Sequence, residues 1–155
     1  MKSKTVIFDL DGTLAQCTDR LAKAQIHSDL KNKKFDWNVF RDNGLLMKDT
    51  PHPQLLEILK MYVDIGYRII IVTGRPDYLR DITMQWLAKN NIPGIAGVYM
   101  RKADDHRQDS IIKKEILDNE LKDHDIHVVY EDRARVVDMW RENGITCFQV
   151  AKGDF

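Results

Sequence analysis

Cysteine is scarce in this 155-residue chain, which holds only Cys17 and Cys147. Two thiols in unrelated segments cannot form the disulfide framework of a small secreted domain, and both are expected to be reduced. Long apolar runs are missing too. None approaches the roughly 18–20 residues that a membrane-spanning helix needs, and the apolar run at 5–8 meets Asp9 too soon to serve as a signal-peptide core. A soluble protein in the cytoplasm, with no membrane partner, is the expectation. There is no excess charge of either sign: 24 Lys+Arg face 24 Asp+Glu. Without a global basic field the chain is not built to coat nucleic acid, and any nucleic-acid substrate must be held by a local patch. The pattern G-x-x-x-x-G-K-[ST] is absent, which excludes an ATP site of P-loop type. His124 and His127 have neither a third histidine nor a cysteine nearby in sequence, and they read as surface or strand-edge residues rather than metal ligands. Repeats, low-complexity tracts and Gly/Ser linkers are also absent.

What remains is the composition of an ordinary folded domain, 43% hydrophobic and 31% charged. A single domain over 1–155 is expected from this length. Apolar runs of strand length stand at 5–8, 68–73, 126–130 and 145–150, with a weaker one at 96–100. Between them, apolar residues recur at helical spacing: Leu55, Leu56, Leu59, Tyr62 and Val63; Leu79, Ile82, Trp86 and Leu87; Ile112, Ile116 and Leu117; Val136, Val137 and Trp140. Trp86 and Trp140 fall in these stripes and read as core. Gly66 and Gly144 follow two of the patterns, where a left-handed residue would close a helix. Strands alternating with helices imply an α/β fold, a Rossmann-like parallel sheet in a three-layer α/β/α sandwich. The segment at about 15–50 breaks the alternation. It is polar, carries Lys31, Lys33 and Lys34, and then gathers Phe35, Trp37 and Phe40. It is far longer than an ordinary βα loop. It reads as a small cap-like insertion after the first strand, partly helical, over the carboxyl ends of the strands where ligands bind. Packing of the aromatics onto the body is an equally simple account of them.

Chemistry concentrates at the strand ends. Asp9-Leu10-Asp11-Gly12-Thr13 follows the first run directly. Carboxylates at i and i+2 of an extended chain project to one side, where they repel unless a cation lies between them. Hard oxygen donors of this kind suit Mg²⁺, which takes one or two carboxylates plus phosphate and water. A helix-capping acid and a turn would explain one aspartate, but not two followed by Gly-Thr. Thr73-Gly74-Arg75-Pro76 closes the second run and is expected to open a helix, with Pro76 in the first turn. A hydroxyl, a backbone N–H and a guanidinium together make an anion site. Lys113 and Lys114 are expected to open a later helix. A lysine buried at a phosphate site would neutralise both the phosphate and a nearby carboxylate, whereas Lys114 reads as solvated. Glu131-Asp132 follows the run at 126–130, where paired acids can complete a metal shell. N-capping by Asp132 is the alternative.

These four elements in this order resemble the haloacid dehalogenase superfamily of phosphotransferases, and within it the 3′-phosphatase domain of bacteriophage polynucleotide kinase. The resemblance is carried by FDLDGTLA (8–15), LLEILKMYVDIGYRIIIVTGR (55–75), MR (100–101), DSIIKKEI (109–116), EDRARVVDMWRENGI (131–145) and FQVAKGDF (148–155). It implies a Mg²⁺-dependent phosphomonoesterase that works through an aspartyl-phosphate. Asp9 would be the nucleophile and Asp11 the general acid and then base. Thr73, Gly74 and Lys113 would hold the phosphoryl group. Asp9, the Asp11 backbone carbonyl and Asp132 would ligate Mg²⁺. Arg20, Arg75 and Arg101 match further functional arginines, and Asp109 matches an acid four residues before the lysine. Glu131 stands where the family has the first of two aspartates, so it would act through a bridging water or as an acceptor behind the ligands rather than as a direct ligand. The implied substrates are phosphorylated DNA or RNA ends, with Lys31, Lys33, Lys34, Arg101, Lys102 and Arg107 as basic candidates for one mouth. Free nucleotides or other small phosphomonoesters are the rival substrates. A non-catalytic phosphate-binding module is the rival of another class, and a pure binder has no need of Asp11.

Overall fold

Alternate residues of continuously buried strands face two separate apolar cores. In β1 (Lys4–Phe8), Val6 and Phe8 face one core and Ile7 the other. In β4 (Arg68–Pro76), Ile69 and Ile71 share the core of Val6 and Phe8, whereas Ile70 and Val72 join Ile7. The computed structural model describes residues 3–153, so the end of the 148–155 segment lies outside the described residues. After β1 come β2 (Ala15–Gln16), α1 (Thr18–Leu30), α2 (Trp37–Phe40), α3 (Asn43–Leu46) and β3 (Thr50–Pro51). Helix α4 (Pro53–Asp64) then leads to β4, and a single 3₁₀ turn to α5 (Arg80–Lys89) and β5 (Ile95–Arg101). The chain closes with α6 (Asp109–Asn119), β6 (Asp125–Glu131), α7 (Ala134–Glu142) and β7 (Cys147–Gln149).

The sheet has five strands in the order β5-β4-β1-β6-β7, and every pairing in it is parallel. Leu55 and Leu59 of α4 and Trp86 and Leu87 of α5 pack on one face. Ile112 and Ile116 of α6 and Val136, Val137 and Trp140 of α7 pack on the other. This is the expected three-layer sandwich, with Trp86 and Trp140 fully buried. Both expected helix closures form: Gly66 and Gly144 have φ of +83° and +75°. The following N–H groups, of Tyr67 and Ile145, donate back to Tyr62 and Trp140, which satisfies the last carbonyls of α4 and α7.

Strand β1 leads to helix α4 on one face, and its neighbour β6 leads to α7 on the other. The carboxyl ends of β1 and β6 therefore flank the switch point of the sheet, where open α/β sheets bind ligands. The excursion between β1 and α4 is partly helical, as expected. Its ends are tied by the antiparallel pair of β2 and β3.

Three boundaries differ from expectation by more than one residue. Helix α6 begins at Asp109, so Lys113 and Lys114 lie in its second turn and do not open it. The last strand is Cys147–Gln149 and not 145–150, because the Ile145 N–H is used to close α7. Strand β4 runs through Thr73 and Gly74 to Pro76, and the 3₁₀ turn Asp77–Leu79 comes only after it. The Thr-Gly pair thus lies within the strand and does not open a helix. Pro76, with ψ of 150°, is extended and precedes that turn.

Candidate active site

The Asp9 N–H still donates to Tyr130 O, continuing the β1–β6 ladder by one bond, and the chain then turns sharply. Gly12 makes the turn with φ of +85°, and a Cβ there would lie 2.3 Å from Asp132 Oδ2. Only glycine suits both the backbone angle and this close approach. The turn leaves Asp9 buried beside three groups. Thr13 Oγ1 donates to its Oδ2 at 3.3 Å. Lys113 Nζ, fully buried in the second turn of α6, donates to its Oδ1 at 2.7 Å and to Glu131 Oε2 at 2.6 Å. Ligand oxygens of Asp9, Glu131 and Asp132 all lie within 4.8 Å of one another.

Burial, followed by repulsion from Glu131, raises the Asp9 pKa above the ordinary carboxylate range, with Lys113 opposing. Burial and then the Asp9 charge raise Asp132 further. Lys113 is also raised, because the charges of Asp9 and Glu131 outweigh the cost of burying the ammonium. Among the described residues, Asp132 Oδ1 is buried with no hydrogen-bond partner. An orphaned, repelled carboxylate oxygen beside two further acids is a site that a hard cation fits. Asp132 does not cap α7: that helix starts after Arg133 without a side-chain cap.

Asp11 is held quite differently. Arg75 grips it with two bonds, Nε to Oδ2 at 2.9 Å and Nη2 to Oδ1 at 2.6 Å. Arg20, buried in α1, adds a third bond to Oδ1. Burial would raise the Asp11 pKa, but the two guanidinium groups outweigh it and keep the carboxyl well below its usual range. Arg20 is itself anchored by Asp49 at 2.9 Å and by Phe40 O at 2.6 Å. Arg75 also reaches Thr83 Oγ1 at 3.0 Å. Arg101 donates from Nε to Gly74 O at 2.9 Å and so braces the Thr73-Gly74 stretch of β4. The buried Thr73 hydroxyl accepts from the Arg75 N–H at 3.2 Å. Asp109 receives Arg133 at 2.6 Å and Arg135 at 2.7 Å; against the effect of burial, these cations lower its pKa.

Asp9, Asp11, Thr73, Gly74, Arg75, Arg101, Asp109, Lys113 and Glu131 all line one cavity of about 350 Å³. Arg20 and Asp132 stand just behind this lining, each bonded to or packed against it. The cavity wall carries seven Arg and Lys side chains against four carboxylates, although the whole chain is neutral. Sequence reasoning missed Arg41, Asp49, Arg133 and Arg135. The charged string at 131–135 was the available signal for the last two, but nothing in it shows which helix they face. Of the six basic residues proposed for a mouth, Arg101 and Arg107 line the cavity. Lys31, Lys33, Lys34 and Lys102 are exposed and do not line it. Lys114 is ion-paired with Asp118 on the surface of α6. His124 bonds to Thr5, and His127 packs against Tyr67.

A parallel α/β sheet that ends β1 in Asp-x-Asp-Gly-Thr, with Thr-Gly, lysine and paired acids at the neighbouring strand ends, defines a haloacid dehalogenase-like phosphatase. Residues 3–155 match the family model described as the polynucleotide kinase PNKP phosphatase domain. The chain belongs to that family. It is similar to a chain in the structure of the Pnkp1/Rnl/Hen1 RNA repair complex, with 34% identity and a TM-score of 0.80 over 99% of this chain and 44% of that one. A protein of Autographa californica nuclear polyhedrosis virus, described as a bifunctional polynucleotide kinase/RNA ligase, is 26% identical over 152 residues, 96% of this chain and 20% of that protein. The chain therefore spans a fifth of that relative and less than half of the repair-complex chain. A haloacid dehalogenase-like hydrolase from Streptococcus pneumoniae shares the fold, with a TM-score of 0.65 at 14% identity over 95% of this chain and 84% of that one. Among the described residues no helix is long and apolar enough to cross a membrane.

Proposed function

We propose that this protein is a Mg²⁺-dependent phosphomonoesterase that removes 3′-phosphates from DNA or RNA ends through an aspartyl-phosphate on Asp9. The observation that carries this reading is the unequal treatment of two carboxylates two residues apart. Asp9 sits against Lys113 among acids, whereas Asp11 is turned into the grip of Arg20 and Arg75. Paired acids with opposite environments are the arrangement that nucleophile and acid/base roles require.

In the proposed first half-reaction, Asp9 attacks phosphorus and the bond from phosphorus to the 3′ oxygen breaks. The leaving alkoxide takes a proton from Asp11. In the second half, water attacks the acyl phosphate, Asp11 accepts its proton, and the Asp9 carboxylate and inorganic phosphate are released. Asp11 is ionised in the arrangement described above. An incoming phosphate dianion would compete for Arg75 and repel the Asp11 carboxylate, and both effects raise its affinity for the proton it must deliver. Thr73, the Gly74 N–H and Lys113 would hold the transferring phosphoryl oxygens. Arg20 and Arg75 would act on the substrate chiefly through Asp11, and Arg101 through the Thr73-Gly74 stretch that it braces.

Asp9, Asp132 and the Asp11 backbone carbonyl would hold Mg²⁺, with Glu131 reaching it through water because Lys113 already takes its Oε2. The ion would offset the repulsion between a carboxylate nucleophile and a phosphate dianion. Asp132 Oδ1, buried without a partner among the described residues, supports this. So do the two glycines packed against that carboxylate: a Cβ at Gly12 or Gly153 would come within 2.3 or 2.4 Å of Asp132 Oδ2.

The substrate assignment rests on the family and on its relatives, a polynucleotide kinase/RNA ligase and a chain of an RNA repair complex. It is tested by kcat/KM on a 3′-phosphorylated oligonucleotide, a 5′-phosphorylated one, and nucleoside 3′- and 5′-monophosphates. The 3′-phosphorylated oligonucleotide is expected to lead. Equal or better turnover of free mononucleotides would overturn the polynucleotide assignment.

A further inference from the structure

The insertion builds a small core from Cys17, Ala24 and Phe40, with Leu21, Phe35 and Val39 packed against it. Trp37 stands outside that core. It is 40% exposed, and yet it lines the same cavity as Asp9 and Asp11. Packing alone therefore does not account for its position. Its ring is held in place all the same. Phe35 and Phe40 meet it edge-on, with centroids 4.8 and 5.8 Å away, and the Arg41 guanidinium lies 5.0 Å from its centroid. Arg41 also lines the cavity, and its charge is felt by Arg101 at the end of β5. The insertion thus presents an immobilised indole and a guanidinium to the space in front of the carboxylates. Arg107 and Arg135, whose side chains are each 49% exposed, also line that cavity, the first ion-paired with Asp105 and Glu115 and the second with Asp109.

The inner groups suffice for a bare phosphate. A ligand without a ring would have no use for Trp37, whereas a nucleotide brings a flat base that stacks on indole and an anion that arginines hold. We propose that Trp37, braced by Arg41, is the subsite for the nucleobase of the nucleotide that carries the phosphate, which makes it a specificity-determining residue. This inference rests on the phosphatase reading above and commits it to substrates that end in a base.

The test compares two oligonucleotides that both carry a 3′-phosphate. In one the terminal nucleotide has its base; in the other it is a tetrahydrofuran abasic analogue. Base–aromatic stacking changes affinity by about 5- to 150-fold per base, so the protein is expected to favour the base-bearing end in kcat/KM by a factor in that range. Trp37→Ala should bring the ratio close to one, and Trp37→Phe should restore much of it. No preference in the unsubstituted protein would overturn the subsite and leave the polynucleotide reading standing. So would an equal loss on both substrates in Trp37→Ala, because the ratio would then be preserved. Release of phosphate from β-glycerophosphate but from neither oligonucleotide would overturn the polynucleotide reading and the subsite together.

Discussion

Replacing Lys113 by methionine would leave the shape of α6 nearly unchanged while removing the cation that neutralises Asp9 and Glu131. Lys113 is only 2% exposed, Asp9 5% and Glu131 1%, so water cannot take over its role. Breaking a buried pair by deleting one partner typically costs about 3–5 kcal/mol, because the other charge is left uncompensated. Here one lysine serves two carboxylates, at 2.7 and 2.6 Å, which places the expectation in the upper part of that range. For a chain of 155 residues, each kcal/mol moves Tm by about 2–4 °C. At about 4–5 kcal/mol the loss should therefore be about 8–20 °C in the presence of EDTA, which prevents a metal ion from substituting for the lysine. The sign of the pH dependence follows from Asp9. Without Lys113 its folded-state pKa, already raised, rises further above the unfolded value. A raised carboxyl stabilises the fold below the unfolded pKa, and that contribution is lost as pH rises through the folded one. The deficit of Lys113→Met relative to the unsubstituted protein should therefore be largest near pH 8 and shrink toward pH 5. Urea denaturation followed by circular dichroism at the two pH values measures it. A deficit below about 1 kcal/mol at pH 8, or one that grows on acidification, would refute the proposed role of the lysine as the neutralising charge of this buried cluster.

Asp9→Asn is isosteric and should keep the fold and lower kcat by about 10⁴-fold or more, as loss of a nucleophile does; undiminished turnover would remove the aspartyl-phosphate. EDTA should stop hydrolysis and added Mg²⁺ should restore it, and full activity in chelator would contradict the metal assignment. Burial raises both Asp9 and Asp132, helped by repulsion from Glu131 on the first and from Asp9 on the second, so metal binding must displace protons and should strengthen as pH rises. The rise in Tm on adding Mg²⁺ should accordingly be larger at pH 8 than at pH 5.5 by differential scanning fluorimetry; the opposite order would count against a carboxylate site. Gly12→Ala meets two obstacles, a φ of +85° and a contact of 2.3 Å with Asp132 Oδ2. The left-handed backbone alone costs about 1–2 kcal/mol, and displacement of Asp132 should also weaken Mg²⁺ binding in a calorimetric titration. Unchanged Mg²⁺ affinity would mean that Asp132 is not a ligand.

Much of the sheet could be read without coordinates because its causes are local. Residues 69–72 are apolar without a break, as a strand covered on both faces must be, and β4 indeed buries Ile69 to Val72 between two helix layers. Gly66 and Gly144 marked helix ends because only a residue at ease with positive φ closes a helix in this way. Asp9 and Asp11 could be picked out because an i, i+2 pair of acids at a strand end has few structural explanations. The extension of β4 through Gly74 was not legible. It depends on pairing with β5, where Pro76 lies opposite Arg101 after a shift in register.

By itself, then, the sequence determined the layers, the carboxyl-end location of the candidate site and the acids that meet there, since each follows from short-range patterns of burial and charge. The partners of the long side chains were decided by tertiary structure alone. Arg75 reads as a hand for phosphate in the sequence, yet it lies beside a carboxylate 64 positions earlier and grips that instead. Arg20 joins it from the insertion and ties Asp11 to Asp49 and to the Phe40 carbonyl. Arg133 and Arg135 find Asp109 on another helix. A guanidinium on a flexible stem can serve any carboxylate within its reach, and which one is near depends on how the crossovers of a parallel sheet bring distant strand ends together.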